Sequence, residues 1–311
     1  MYTIENQTVI LELFLTGLSD DQSNQLILFM VFFLLYVTTL IGNLLILFII
    51  TMDSCLHSPM YFFLGNLALL DICSSSITTP RMLSDLNTSN SMISLSACIT
   101  QIYFFISFAT SEVVLLAVMS YDRYVAVCYP LHYMQRMTWK ACVQLALGVW
   151  LMGLLYSLLH TLFTLRLTFC DSKTIHSFFC DLSKLFQISC TDTFINTLII
   201  FIFGGSLGSS CFIITFFPYI SIFTTVLNNQ VRVSRIKTLS TCTSHLTVVF
   251  IFYGTLLFNY FRPTSDYQLS EDKIVSVFYT VITPILNPII YSLRNKEIKK
   301  ALKRICKTCL A

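Results

Sequence analysis

Apolar residues fall along this chain in seven long, nearly uninterrupted runs, at about 25–51, 59–80, 98–121, 141–165, 194–227, 238–261 and 274–293. A helix rises about 1.5 Å per residue, so about 20 apolar residues cross the hydrocarbon of a bilayer, and every run meets that length. None breaks into the segments of about ten alternating residues that a membrane barrel requires. The pattern predicts an all-α membrane protein, a bundle of seven transmembrane helices. Asp, Glu, Lys and Arg within the runs are confined to Asp71, Glu112 and, at the edge of the second, Arg81. The longest connection, about 166–193, is too short for a soluble catalytic domain. Residues 1–311 therefore read as a single domain without enzymatic activity: an N-terminal segment 1–24, a bundle 25–293 and a tail 294–311.

Composition agrees with that pattern. Of the 311 residues, 55% are hydrophobic and 11% charged, whereas a soluble domain carries about 25% charged residues. A net charge of +3 provides no surface for nucleic acid. The distribution of charge is more informative than its sum. With the N-terminus outside, 13 of the 19 Lys and Arg residues lie on the cytoplasmic side, as the positive-inside tendency requires, and the C-terminus is cytoplasmic. The expected location is the plasma membrane. Asn6-Gln7-Thr8 forms a glycosylation acceptor on the outer side. No cleavable signal peptide is visible, so the first span is expected to direct insertion.

Beyond the seventh run, Ile298, Ala301, Leu302 and Ile305 recur at helical spacing, while Lys296, Lys299, Lys300, Lys303 and Arg304 occupy other faces. This predicts a short amphipathic helix on the anionic inner leaflet. Cys306 and Cys309 follow as candidates for lipidation. Four of the twelve cysteines, Cys98, Cys170, Cys180 and Cys190, fall on the outer side, where disulfides persist. Four cysteines allow three pairings, and a bridge from Cys98 to a loop cysteine would pin the long loop over the bundle mouth.

Several segments carry a shared pattern in order: Gly42-Asn43, Leu56-His57-Ser58-Pro59-Met60-Tyr61, Met119-Ser120-Tyr121-Asp122-Arg123-Tyr124, Lys237-Thr238-Leu239-Ser240-Thr241-Cys242-Thr243-Ser244-His245 and Pro284-Ile285-Leu286-Asn287-Pro288-Ile289-Ile290-Tyr291. In these motifs, which cover nearly the whole chain, the sequence resembles the olfactory (odorant) receptors, a branch of the rhodopsin-like G-protein-coupled receptors. The resemblance implies that Cys98 pairs with Cys180 and Cys170 with Cys190. It implies no cofactor. The implied partners are a small volatile ligand, a heterotrimeric G protein of the stimulatory or olfactory type, and the lipid bilayer. One departure is Pro218-Tyr219 in the fifth span, where the family usually has Ser-Tyr.

Ionisable residues inside a membrane are expensive and are functional candidates by default. Glu112 and Arg123 are eleven residues apart, close to three helical turns, and so share one face of the third helix. The resemblance places Asp71 and Glu112 beside a cation or water site between the second and third helices. Arg123 keeps its charge and has a fork of donors, so it can exchange partners without a proton transfer. Asp122, Arg123, Tyr124, Tyr219, Asn287, Pro288 and Tyr291 are the expected switch. At rest Arg123 pairs with Asp122, and on activation it turns toward Tyr219, Tyr291 and the G protein. His245 joins the set as a helical histidine, a packed or hydrogen-bonded group and not a metal ligand.

Helical spacing and the family's layout propose a ligand pocket lined by Ile102, Phe105, Ile106, Ala109 and Thr110 on the third helix and by Phe203 and Leu207 on the fifth. Tyr253, Leu256, Leu257 and Tyr260 on the sixth and Val277 and Thr280 on the seventh complete it. Such a lining suits small, mostly neutral molecules. Phe105 stands where amine receptors carry Asp, leaving a cationic amine no anchor. Tyr253 is the expected sensor of occupancy. Two other readings of the chain are a receptor for a metabolite outside olfaction and a small transporter or channel. The second would call for internal repeats or broken helices in matching positions.

Overall fold

The computed structural model describes residues 12–18, 21–88, 91–169, 173–228, 242–243, 245–254, 273–274 and 276–310. Among these, five helices are long and apolar enough to span a membrane, and two shorter apolar helices stand where the sixth and seventh spans are predicted. They are α1 (Gln22–Met52), α2 (Pro59–Thr88), α3 (Leu95–Cys128) and α5 (Trp139–Thr164), with a four-residue α4 (Tyr133–Arg136) between the last two. After α6 (Leu182–Gln187), the fifth span joins α7 (Phe194–Ile199), a π-helical turn (Ile200–Gly204) and α8 (Gly205–Asn228) without a break. The sixth is α9 (His245–Gly254). The seventh joins a π-helical turn (Phe278–Ile282) to α10 (Thr283–Arg294), and α11 (Lys296–Leu310) follows.

Side chains are distributed as lipid demands. Leu34, Ile41, Phe201, Phe217 and Phe250 stand largely exposed, whereas Asn43, Asp71, Ser111, Thr280 and Asn287 are buried. In hydrocarbon an unpaired polar group has no water to turn to, so polar side chains hold helices together from within. Asn43 Nδ2 donates to the Pro284 carbonyl at 3.2 Å, tying α1 to the seventh helix. Trp150 Nε1 donates to Asn66 Oδ1 at 3.1 Å, tying α5 to α2. Ser120 donates to the Thr215 carbonyl at 2.6 Å, tying α3 to the fifth helix.

Helix α3 is the hub, packed against α2, α5 and α8. Its contact with α5 depends on Gly153: a Cβ there would lie 2.1 Å from Ser111 Oγ and 2.4 Å from the Ser107 carbonyl oxygen. Ser157 of α5 also donates to the Tyr103 carbonyl. Caps fix where these helices begin. Ser94 accepts from Ala97 N at 3.2 Å and Thr138 from Ala141 N at 3.3 Å, each satisfying an otherwise orphaned donor of the first turn.

Two helices outrun the spans read from the sequence. Helix α2 continues through Pro80 to Thr88. Proline removes one hydrogen bond, and the next turn is stapled by an Arg81–Asp85 ion pair at 2.9 Å, which adds Asp85 to the ionisable residues inside spans. Helix α3 continues to Cys128, which carries Asp122 and Arg123 on regular helix.

One end of the bundle carries a three-stranded sheet that the apolar runs do not predict. Strand β1 (Glu12–Leu15) lies between β2 (Met92–Ser94), antiparallel, and β3 (Thr174–Ile175), parallel. Leu13 and Leu15 point inward against Ile93, Cys98, Ile102 and Ile175. The Cys98–Cys180 disulfide lies beneath this sheet, as the resemblance implies. Gln101 reinforces it, accepting from Cys180 N at 2.9 Å and donating to the Ile77 carbonyl at 3.0 Å. Cys190 is also disulfide-bonded. Cys170 and the glycosylation candidate Asn6 lie outside the described residues.

At the opposite end, α11 buries Ile298 and Ala301 of its amphipathic pattern and half-buries Ile305, while Leu302 stands exposed. Asn295 caps it through Glu297 N at 3.0 Å. Arg304 donates to Asp53 Oδ2 from Nε at 2.9 Å and from Nη2 at 2.6 Å, tying the helix to the α1–α2 connection. That contact holds the Asp53 carboxyl below the usual carboxylate range.

Two outcomes are expected from this architecture. Gly153→Val should destabilise the fold by about 1–3 kcal/mol of overpacking, read as a lowered thermal-unfolding midpoint of detergent-purified protein, while Gly148→Ala, where a Cβ meets nothing within 4 Å, should leave the midpoint unchanged. Cys98→Ser should cost about 2–5 kcal/mol and lower the amount reaching the cell surface, read by flow cytometry of a tagged chain.

Candidate functional site

The candidate residues lie along α3 in three tiers. Nearest the disulfide, Phe105 packs on Phe179 of the long loop at 5.4 Å between ring centroids and on Tyr279 of the seventh helix at 5.8 Å. Val277, Phe178, Met82 and Val281 belong to the same cluster. Ile102 is fully buried one turn away and, with Ile106, packs into the cluster beneath the sheet. Ala109 is half-buried, while Thr110 and Thr280 are buried. Thr280 Oγ1 donates to the Ser276 carbonyl at 2.7 Å. Leu207 packs partly buried against the central core. Phe203 stands 49% exposed on the π-helical turn. A π turn adds a residue to the local repeat, so spacing at 3.6 residues does not carry through it. Leu256, Leu257 and Tyr260 lie outside the described residues.

Phe179 and Tyr279 are absent from the lining read off the sequence. The signal for Phe179 is its place next to Cys180: the disulfide carries the preceding residue onto α3.

Tyr253 is buried among aromatic rings, 5.5 Å from Phe212 and 5.7 Å from Phe216 between centroids. Its hydroxyl faces that of Thr215 without a hydrogen bond of normal geometry. The ring is therefore held by packing while the hydroxyl has capacity to spare. Phe212 and Phe216 are further residues the sequence reading omitted.

The middle tier joins three helices. Asn287 Nδ2 donates to Asp71 at 2.9 and 3.1 Å and lies 3.5 Å from Glu112 Oε1. Both carboxyl groups and the amide are buried. The eleven-residue spacing holds, since Glu112 and Arg123 face the same interior from α3. Pro288, the next residue, lies so close to α1 that a Cβ on Gly42 would meet its ring at 3.2 Å.

The last tier is the candidate switch. Arg123 is ion-paired with Asp122, whose other oxygen accepts from Tyr133 of α4 at 2.8 Å. Tyr133 fixes the acid's orientation, a role with no counterpart in the motif itself. Tyr219 and His245 form a separate buried pair, with the hydroxyl 2.5 Å from Nδ1. Arg123 lies within electrostatic range of Tyr219, His245 and Tyr291. The Tyr291 hydroxyl is buried and makes no hydrogen bond among the described residues. Tyr124 packs partly buried against the cluster that contains Tyr219 and meets the Tyr129 hydroxyl at 3.4 Å. Pro218 is accommodated inside α8, and Tyr219 still faces the interior.

A bundle with an aromatic tier at its disulfide end, a buried acidic centre and a paired arginine at the other end is the arrangement of a rhodopsin-like seven-helix receptor. Squid rhodopsin superposes with a TM-score of 0.68 at 18% identity, over 94% of this chain and 87% of that one, which establishes the shared fold. A family model described as olfactory receptor matches residues 32–308. The human olfactory receptor 5B12 is 46% identical over 97% of this chain and 96% of its own length. The gorilla olfactory receptor 1G1 is 48% identical over the same shares. The chain belongs to the olfactory receptor family, a family of multi-pass plasma-membrane receptors and not of enzymes.

Tyr253→Phe should keep surface expression and shift ligand efficacy, because the ring stays packed while the hydroxyl is lost. Tyr253→Ala, which removes a buried ring worth about 3–5 kcal/mol, should abolish most of the response. Dose-response curves normalised to surface expression check both. An unchanged maximum and midpoint in Tyr253→Ala would reduce Tyr253 to a core residue.

Proposed function

We propose that this chain is an odorant receptor that binds small, mostly apolar volatile molecules between its helices and activates a heterotrimeric G protein of the stimulatory or olfactory type. Residues 1–311 act as one receptor domain, with 1–24 extracellular, 25–293 in the bundle and 294–311 cytoplasmic. The observation that carries this reading is the course of α3, which takes Phe105 to an aromatic cluster and Arg123 to a paired, restrained state on one rigid rod.

Ligand would contact Phe105, Thr110, Leu207, Tyr253, Val277 and Thr280, with Phe179 and Tyr279 added by their packing on Phe105. A ligand shifts the resting equilibrium only by binding the active arrangement better. Tyr253 supports that difference because its hydroxyl can gain a partner when α9 moves. The movement would part His245 from Tyr219 and free Arg123 from Asp122 toward Tyr219 and Tyr291. Asp71, Glu112 and Asn287 couple α2, α3 and the seventh helix during that rearrangement and offer oxygens to a cation or water. Cys170 would close the second disulfide with Cys190.

Arg123→Ala should retain ligand binding and lose at least about tenfold of the agonist-dependent cyclic AMP signal, because the arginine belongs to the coupling end. The measurement is an odorant panel on cells with matched surface levels, with ligand uptake followed in parallel. Signalling undiminished in Arg123→Ala would overturn the switch assignment, and uptake without cyclic AMP would favour a transporter.

A further inference from the structure

The fourth and fifth spans bury two polar side chains, each with a nitrogen that makes no hydrogen bond among the described residues. The inward face of α5 runs Cys142, Ala146, Val149, Gly153, Ser157, His160 and Thr164. Gly153 and Ser157 seat the helix on α3. His160 comes next, 4% exposed, with Nε2 making no hydrogen bond among the described residues. Its ring stands edge-on to Tyr156 at 4.5 Å.

The fifth span passes close by. A Cβ on Gly204 would lie 2.9 Å from the Tyr156 hydroxyl, so the Tyr156 side chain reaches the fifth span at its π turn. His160 lies one turn beyond Tyr156 on α5, and Asn196 about two turns before Gly204 on the fifth span. Helix α7, which carries Asn196, packs on α5. Asn196 is 5% exposed, and its Nδ2 likewise makes no hydrogen bond among the described residues. Between Asn196 and Gly204 the helix adopts its π turn, a distortion found mostly at functional sites. Added Cβ atoms on Gly205 and Gly208 would meet nothing within 4 Å.

Two buried polar groups without hydrogen-bond partners among the described residues are costly unless a bound molecule satisfies them. The Asn196 amide nitrogen can only donate, and the neutral imidazole can donate from Nε2. Two donors call for an acceptor oxygen, and with neither bringing a fixed positive charge the fitting acceptor is neutral. We infer that the ligand pocket extends toward the fourth helix, where His160 and Asn196 hold the carbonyl oxygen of a neutral aldehyde or ketone. The inference rests on the odorant-receptor reading and names the ligand chemistry of that same cavity. Leu207, partly buried on the fifth helix, suits the hydrocarbon part of such a molecule.

The test uses the full-length receptor, a series of straight-chain aldehydes and ketones, and alkanes of equal length as probes. Cyclic AMP response and thermal stabilisation of purified protein are measured together. Wild type should respond to, or be stabilised by, at least one carbonyl compound more than by its alkane. His160→Leu and Asn196→Leu should raise the midpoint for that compound by about tenfold, the usual scale for a lost buried partner. His160→Gln, which restores an amide donor, should recover most of the loss. If His160→Leu does not reach the surface, His160→Gln and Asn196→Leu carry the comparison.

No preference for carbonyl compounds in wild type overturns the inference, as do unchanged midpoints in the variants. So does an equal fall in stability with and without probe, the signature of an ordered water held by the two side chains. Those results would leave the receptor reading intact if other odorants still evoke cyclic AMP. Failure of every odorant in wild type would count against the receptor reading itself.

Discussion

Everything in this bundle depends on the requirement that polar groups buried in hydrocarbon find their partners inside the protein. The Asn287 amide, set between the carboxyl groups of Asp71 and Glu112, meets that requirement where α2, α3 and the seventh helix converge. Removing any one of the three would leave charge or dipole without compensation at the centre of the fold. The same requirement explains the serines that bond the carbonyls of neighbouring helices, and the close seat of Gly153 on α3. Exchanging such contacts rearranges helices without exposing their polar groups to lipid, which makes the interior suitable for two-state behaviour.

Helix α3 gives that behaviour a direction. At one end the Cys98–Cys180 disulfide and Gln101 tie it to the long loop, and Phe179 is carried against Phe105. At the other end Asp122, held by Tyr133, restrains Arg123. The sixth helix faces both regions through Tyr253 and His245, about two turns apart on one element. Movement of that helix would alter the packing of the Tyr253 ring and the Tyr219–His245 bond together. Docking of α11 through Asp53 and Arg304 anchors the end of the seventh helix.

Much of the design was legible along the chain. Long apolar runs marked the spans because lipid imposes a length and a polarity that few other environments require. The spacing of Glu112 and Arg123 placed both on one face because helical periodicity persists through α3. The amphipathic repeat of Ile298, Ala301 and Ile305 marked α11 for the same reason. Less legible were contacts set by distant segments. The strand Glu12–Leu15 is too short to announce itself and forms only because Met92–Ser94 and Thr174–Ile175 are brought alongside. Phe203 was placed by a regular repeat that the π turn interrupts.

By itself, then, the sequence determined the membrane-spanning class, the inward placement of Asp71, Glu112 and Arg123, and the family to which the motifs belong, because these follow from local periodicity and from the cost of charge in hydrocarbon. Tertiary structure alone decided which partners those residues take: Asn287 for the acids, Tyr133 for Asp122, His245 for Tyr219 and Asp53 for Arg304. It also decided that His160 and Asn196 are left without any among the described residues. The physical reason is that periodicity fixes the face on which a side chain lies, whereas its partner depends on how two helices distant in sequence are rotated and offset against each other.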